Sequence, residues 1–500
     1  MPKTDGKRRL ADDQSKAEAP EDTTPRVEEK SVTKQYSASF GGRDVSYTAT
    51  AATVAVGSAE DRRAAFFFVS YTEDGVDPAT RPIVFAFNGG PGSSTVWLHL
   101  GLLGPKRVEL DDDGFSVRLP GRLIDNEHSI LDVADVVLID AVGTGFSTAE
   151  PKDKEKDYHH FARDIEAFTE FIVTYLNRYG RWASPKYLAG ESYGTTRGAA
   201  IAKELFNPHG VELSGIILIS VALSFQTIAS EEGTRVFHPG NELPFPLHLP
   251  TYAATAWYHG RLNEDHQKRP LRDLLDEVEQ FSLGQYWTAL AHGDRLASEE
   301  RAAVVSKLSE YTGLSETYID RYDMRIHIMR FCKELLRDRR RTVGRLDSRY
   351  TGIDRFADGD NLENDPSGDQ MMGLFTSTLN QYLRAELGFV NESFYKALSM
   401  KVNEVWDYED FKGHYVNTSD HLRDLMARSP RTQVFVANGY YDLATPHFAT
   451  EYTFNHMGLD ESVRKNVRME YYDAGHMMYV HKPSLERLAA DLREFVTDTR

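Results

Sequence analysis

The chain has 500 residues, 41% of them hydrophobic and 11% aromatic, enough apolar surface for a large packed core, which excludes wholesale disorder. At roughly 150 residues per domain, that length suits about three domains or one large domain with a sizeable insertion. The 58 Lys and Arg against 76 Asp and Glu leave a formal charge of -18, which repels phosphate backbones and argues against a nucleic-acid partner.

Residues 1–35 are rich in Lys, Asp, Glu, Pro, Ser and Thr with no apolar stretch, which reads as a disordered tail and not a secretory leader. No apolar run approaches a bilayer crossing, so the chain reads as soluble, with no membrane partner. Its single cysteine, Cys332, forms no intramolecular disulfide, suits a reducing compartment and reads as buried filler. Together these features point to the cytoplasm.

Strand signals begin at Asp44–Val56, rich in Thr, Val and Ala, and continue in the aromatic run Ala64–Tyr71. Pro82–Phe87 is a continuous apolar run that stops in Asn88-Gly89-Gly90-Pro91-Gly92-Ser93-Ser94, as a buried strand does when it meets a functional loop. The same transition recurs where Asp135–Ile139 meets Asp140-Ala141-Val142-Gly143 and where Lys186–Ala189 meets Gly190-Glu191-Ser192-Tyr193-Gly194. Between them, Phe161, Ile165, Phe168, Ile172, Tyr175 and Leu176 recur at helical spacing within Tyr158–Tyr179, and Thr195–Phe206 reads as a second helix.

Short apolar strands alternating with amphipathic helices predict an α/β protein with a mostly parallel central sheet and helices on both faces. After the strand Gly215–Ser220 the texture changes: Leu249–Arg345 carries helical spacing and no convincing strand. Strand signals return at Gln433–Asn438 and Val467–Tyr472, and a helix, Pro483–Val496, closes the chain. The expected organisation is a tail over 1–35, a core over 36–222 and 431–500, and a largely helical cap insertion over 223–430.

Gly190-Glu191-Ser192-Tyr193-Gly194 fits G-x-S-x-G between an apolar strand and a helix, the setting of a nucleophile elbow. Flanking glycines relieve the clashes of a sharp strand-to-helix turn. His476, in Tyr472-Asp473-Ala474-Gly475-His476, follows a strand and supplies a base; Asp442, in Asn438-Gly439-Tyr440-Tyr441-Asp442, follows another and supplies the acid that orients it. Ser192, Asp442 and His476 occur in the chain order of the α/β-hydrolase fold. Its oxyanion hole would use the backbone N–H of Tyr193, after the nucleophile, and that of Gly90 in the early glycine-rich loop. No cofactor is implied, and His159-His160 are adjacent instead of on one face, with no Cys or carboxylate set at metal spacing, so no structural metal is expected.

These segments, together with Val142-Gly143-Thr144-Gly145-Phe146-Ser147, resemble the serine carboxypeptidases from about Ile83 to the C-terminus. The resemblance implies hydrolysis at the free C-terminus of a peptide substrate, with Asn88, the Gly89 backbone and Glu191 holding the substrate carboxylate. Two like charges in contact require a shared proton. It also implies that Trp97 lines the leaving-residue pocket. The family's carboxylate cluster adds a Trp and a Glu where this chain has Ala86 and Leu102, and Thr195 and Arg197 replace residues more often small or aromatic.

The same triad would also serve an esterase or amidase, and a non-catalytic binding protein could reuse the scaffold. A homodimer is left open. Asp442 has an alternative reading as a helix cap, Glu191 as a buried polar residue of the elbow and Trp97 as packing. Arg337–Arg341 (RDRRR) reads as a solvated face or a domain-bridging charge cluster and not as a nucleic-acid patch.

Overall fold

In the computed structural model, which describes residues 29–57, 63–228, 240–360 and 362–498, the apolar runs become strands of one ten-stranded sheet. Its main strands are β1 (Ser31–Phe40), β2 (Arg43–Val56), β3 (Arg63–Glu73), β4 (Ile83–Phe87), β5 (Asp135–Ile139), β6 (Lys186–Ser192), β7 (Gly215–Val221), β8 (Gln433–Gly439) and β9 (Val467–Tyr472). They lie in the order β1-β2-β3-β5-β4-β6-β7-β8-β9, and the short strand Thr148–Glu150 also pairs with β3. From β5 to β9 every pairing is parallel; β1, β2 and β3 form an antiparallel edge. The central strands β4, β5 and β7 are buried at every residue, which is why they read as unbroken apolar runs.

Alternate residues of each central strand face opposite layers. Val84, Ala86, Ile217, Ile219, Phe435 and Ala437 belong to one apolar layer, and Ile83, Phe85, Phe87, Ile216, Leu218 and Val436 to the other. The longer helices among the described residues are α1 (Phe161–Tyr179), α2 (Tyr193–Phe206), α3 (Pro244–Tyr258), α4 (Leu271–Phe281), α5 (Ser298–Thr312), α6 (Pro366–Gln381), α7 (Ser419–Arg428), α8 (His447–His456) and α9 (Lys482–Asp498). α6 and α9 close the first layer, and α1, α2 and α7 the second. No helix among the described residues is long and apolar enough to cross a membrane.

Two expected boundaries move. Residues 1–28 of the expected tail lie outside the described residues, but Ser31–Phe40 is a full antiparallel strand and not tail. Glu29 is also anchored, its carboxylate accepting from Arg178 at 2.9 and 3.0 Å and from Ala55 N at 2.9 Å. The segment 223–430 is not a single cap. Residues from Phe245 to Val343, drawn largely from α3, α4 and α5, build their own apolar core, with Cys332 buried in it. α6 instead packs on the sheet, and Val402, Trp406 and α7 join its opposite layer. Tyr441 and Leu443, which flank Asp442, enter the cap's core, so the cap is continuous with the loop that carries the expected acid.

Candidate active site

At the carboxyl end of β6 the chain turns directly into α2 through Ser192, whose φ of 61° and ψ of -128° lie where L side chains are strained, at a cost of about 1–3 kcal/mol. The flanking glycines make the turn sterically feasible. A Cβ on Gly190 would lie 2.2 Å from the Gly194 carbonyl oxygen, and one on Gly194 would lie 2.8 Å from the Phe87 oxygen. Thr195 braces the turn: its hydroxyl donates to Ser192 O at 2.7 Å and accepts from Ala222 N at 2.8 Å. Tyr193 begins α2, so its amide N–H has no acceptor within the helix and sits at the positive end of the helix dipole.

The glycine-rich loop after β4 rests on this elbow. A Cβ on Gly89 would lie 2.5 Å from Tyr193 N and 2.6 Å from Gly194 N, so the loop backbone approaches as only glycine allows. Gly90 adopts a φ of 103°. The loop is held from outside by Ser94 N donating to Ala397 O at 2.9 Å, Ser399 N to Gly92 O at 2.7 Å and Asn403 Nδ2 to Pro91 O at 3.1 Å. From beneath, the wholly buried Arg197 donates from Nη1 to Asn88 O at 2.7 Å while its Nε pairs with Asp164 at 2.6 Å.

Beyond β8 and β9, Asp442 and His476 meet. His476 Nδ1 bonds Asp442 Oδ2 at 2.7 Å, and both side chains are buried. Asp442 also accepts from Ala444 N at 2.8 Å, Thr445 N at 3.0 Å and Thr445 Oγ1 at 2.6 Å, so the carboxylate is fixed by four donors. Burial opposes charge on His476, but Asp442 and then Glu191 outweigh it, and the imidazole is held above its ordinary range. Val221 of β7 pairs with Ser192, and the neighbouring Ser220 donates to His476 O at 2.7 Å, which brings the serine and histidine to the same end of the sheet.

Glu191 is buried beside them. Its Oε1 accepts from Asn88 Nδ2 at 2.9 Å and its Oε2 from the Tyr479 hydroxyl at 2.7 Å. Burial pushes the carboxyl up to about 7, against the pull of His476 and of these two bonds. Asn88 is fixed in turn, its Oδ1 accepting from Leu98 N at 3.1 Å. Trp97 lies under the glycine-rich loop, its Nε1 donating to Ser93 Oγ at 2.8 Å and its ring 5.1 Å from that of Phe375. Ala86 and Leu102 are both fully buried in the apolar layer beneath.

The structure thus gathers Ser192, Asp442, His476, Glu191, Asn88 and the Gly89–Gly90 turn at the carboxyl end of the sheet, with Trp97 bonded to Ser93 of the same glycine-rich loop. Sequence reasoning missed Tyr479, Ser220, Thr445 and the segment Arg345–Arg349. Only Tyr479 had a local signal: a polar-tipped aromatic three residues after His476 in the apolar run Met477-Met478-Tyr479-Val480. Among the described residues, Glu279, His447 and Glu451 bring possible metal-ligand atoms within 4.8 Å of one another. Arg272 already donates to Glu279 at 2.5 Å and Tyr471 to Glu451 at 2.7 Å, so this cluster reads as a charged link between α4 of the cap and α8 of the core.

Comparison with known proteins gives the family. The serine carboxypeptidase family model matches residues 45–485. A pheromone-processing carboxypeptidase of Saccharomyces cerevisiae is 34% identical over 136 residues, 26% of this chain and 17% of that protein. Serine carboxypeptidase-like 8 of Arabidopsis thaliana is 29% identical over 153 residues, 30% of this chain and 34% of that protein. The matched segments therefore span about a sixth to a third of those relatives. Among solved structures, a proline iminopeptidase of Mycobacterium smegmatis aligns over 89% of this chain and 98% of its own at 14% identity and a TM-score of 0.38. With the α/β-hydrolase sheet and the family match over residues 45–485, the chain belongs to the serine carboxypeptidase family.

Proposed function

We propose that the protein is a serine carboxypeptidase that removes the C-terminal residue of a peptide through an acyl-enzyme on Ser192. His476 takes the Ser192 hydroxyl proton as Oγ attacks the scissile carbonyl, and Asp442 fixes the tautomer and stabilises the imidazolium. The Gly90 and Tyr193 N–H groups receive the oxyanion. As the C–N bond breaks, His476 returns the proton to the leaving amine, and water resolves the ester by the same route.

One observation supports this reading: the His476–Asp442 pair at 2.7 Å and the Asn88–Glu191 pair at 2.9 Å share the carboxyl end of the sheet with the strained Ser192. A buried carboxyl raised to about 7 is protonated through the mildly acidic range, so it donates to a substrate carboxylate instead of repelling it. The test is hydrolysis of a blocked dipeptide with a free C-terminus against its C-terminal amide, from about pH 4 to 8, with Ser192→Ala as control. Strong preference for the free acid, abolished in the variant, supports the proposal.

A second reading, an esterase or amidase using the same triad, is favoured by the two buried apolar residues, Ala86 and Leu102, at positions where the resemblance expects carboxylate-binding partners. Equal turnover of acid and amide selects it.

A further inference from the structure

β9 ends at Tyr472, and among the described residues the loop that carries His476 has no strand partner of its own. Its backbone groups are instead tied down one by one. Gly475 N donates to Asp347 Oδ2 at 3.0 Å, His476 N donates to Leu346 O at 2.7 Å, and His476 O accepts from Ser220. The same short segment reaches the acid loop, where Leu443 N donates to Arg345 O at 3.1 Å and Ser348 N donates to Tyr441 O at 3.0 Å. Residues 345–348 therefore bridge the loops of Asp442 and His476, although they come from the insertion and not from the core strands.

Within this bridge Asp347 is the side chain that touches the histidine loop. Arg349 grips its carboxylate, Nη2 at 2.6 Å and Nε at 3.0 Å, with side-chain exposures of only 3% and 6% for the pair. A buried ion pair is no more stabilising than apolar packing of the same volume. What this one does that packing cannot is offer a fixed acceptor to the amide one residue before the base. Gly475 is shaped to it: a Cβ there would lie 2.4 Å from Asp347 Cβ and 2.5 Å from its Cα. The segment is itself anchored, Arg345 N and Leu346 N both donating to the Asp365 carboxylate at 3.1 and 3.2 Å.

We propose that Asp347, paired with Arg349, is a positioning residue for His476: it fixes the Gly475–His476 turn so that the imidazole stays aligned between Asp442 and Ser192. The proposal rests on the reading of His476 as general base. A base displaced by about an ångström loses about a hundredfold in rate without loss of substrate binding.

The test compares wild type with Asp347→Ala, Asp347→Asn, Arg349→Met and Gly475→Ala on a chromogenic ester, with rates normalised to sites titrated by a fluorophosphonate. Asp347→Ala and Gly475→Ala are expected to lower kcat per titrated site about 10- to 100-fold with KM within about twofold. Asp347→Asn, which keeps an oxygen for Gly475 N–H, recovers part of the loss. The groups that bear on the His476 charge are Asp442, Glu191 and Arg345. Loosening from Asp442 removes the attraction that raises the imidazole, so the acid limb of the rate profile moves to lower pH in both variants.

A kcat per titrated site within twofold of wild type, with the acid limb unmoved, overturns the proposal even if thermal stability falls. If Asp347→Ala does not fold, Arg349→Met and Asp347→Asn decide by the same two readouts. A wild-type Ser192 that does not react with the probe overturns the functional reading, and this proposal with it, whereas a reactive wild type with unaffected variants overturns this proposal alone.

Discussion

The Tyr479 hydroxyl donates to Glu191 Oε2 at 2.7 Å, and this bond stands where the family resemblance expects a larger carboxylate cluster. Glu191 keeps Asn88 and gains a phenol, while Ala86 and Leu102 contribute only apolar packing. A phenol that donates to a carboxylate stabilises the ionised form, and here it partly offsets the burial that raises the Glu191 carboxyl to about 7.

Tyr479→Phe removes that stabilisation, so Glu191 stays protonated to higher pH. The alkaline limb of kcat/KM on a free-acid dipeptide is expected to shift upward, while turnover of an ester without a carboxylate keeps its alkaline behaviour. Parallel pH profiles on the two substrates check this; an unmoved alkaline limb would show that Glu191 does not meet the substrate carboxylate.

Glu191 and His476 also act on each other, the carboxylate raising the imidazole and the imidazolium lowering the carboxyl. Glu191→Gln deletes one of the charges that lifts His476, so the acid limb of ester hydrolysis is expected at lower pH. Stability follows its own sign. A carboxyl whose folded pKa of about 7 exceeds its unfolded value binds more protons when folded, so its contribution is present below the unfolded pKa and is lost as pH rises through about 7. Denaturant unfolding between pH 5 and pH 8 should show a fall in stability with pH for wild type that is smaller in Glu191→Gln.

How much of this was legible depends on whether the signal is local. β4, β5 and β7 are buried on both faces, so their sequences are apolar without interruption, and the elbow declares itself through glycines that a Cβ would turn into clashes. β1 carries no such mark: it is an edge strand, SVTKQYSASF, mostly exposed, and its order comes from pairing with β2 and from Tyr36 stacking on Tyr47 at 5.8 Å. Asp347 and Ala397 reach the His476 loop and the glycine-rich loop across more than a hundred residues of chain, and the groups they meet there, Gly475 N and Ser94 N, are backbone amides that carry no mark in the sequence. The cap boundary was misjudged for a related reason, because α6 and α7 look as helical as α3 and α4 and only packing assigns them to the sheet.

Gly89→Ala tests the contact between the glycine-rich loop and the elbow. The new Cβ would meet Tyr193 N, Gly194 N and the Glu191 carbonyl oxygen within 2.7 Å, all of them backbone atoms that cannot rotate away. The loop must lift, carrying Gly90 N–H away from the oxyanion of the proposed mechanism. A loss of about 100- to 1,000-fold in kcat is expected, the scale of deleting one oxyanion donor. Steady-state kinetics on protein shown folded by circular dichroism measures it.

Arg197 separates stability from positioning in the same loop. Its guanidinium is wholly buried against Asp164 and over the rings of Phe168 and Tyr193, with Cζ at 4.7 and 5.3 Å from their centroids, while Nη1 holds Asn88 O. Asp164→Ala strands a buried cation and is expected to cost about 3–5 kcal/mol of unfolding free energy. Replacing both partners with apolar residues, as Asp164→Leu with Arg197→Met, removes the ionic desolvation and should recover most of that loss. It does not restore the bond to Asn88 O. Kcat on the free-acid dipeptide should therefore stay depressed in the stable double variant, and denaturant unfolding measured beside kinetics would show the two effects parting. A double variant with both stability and activity restored would mean that Arg197 serves the core alone.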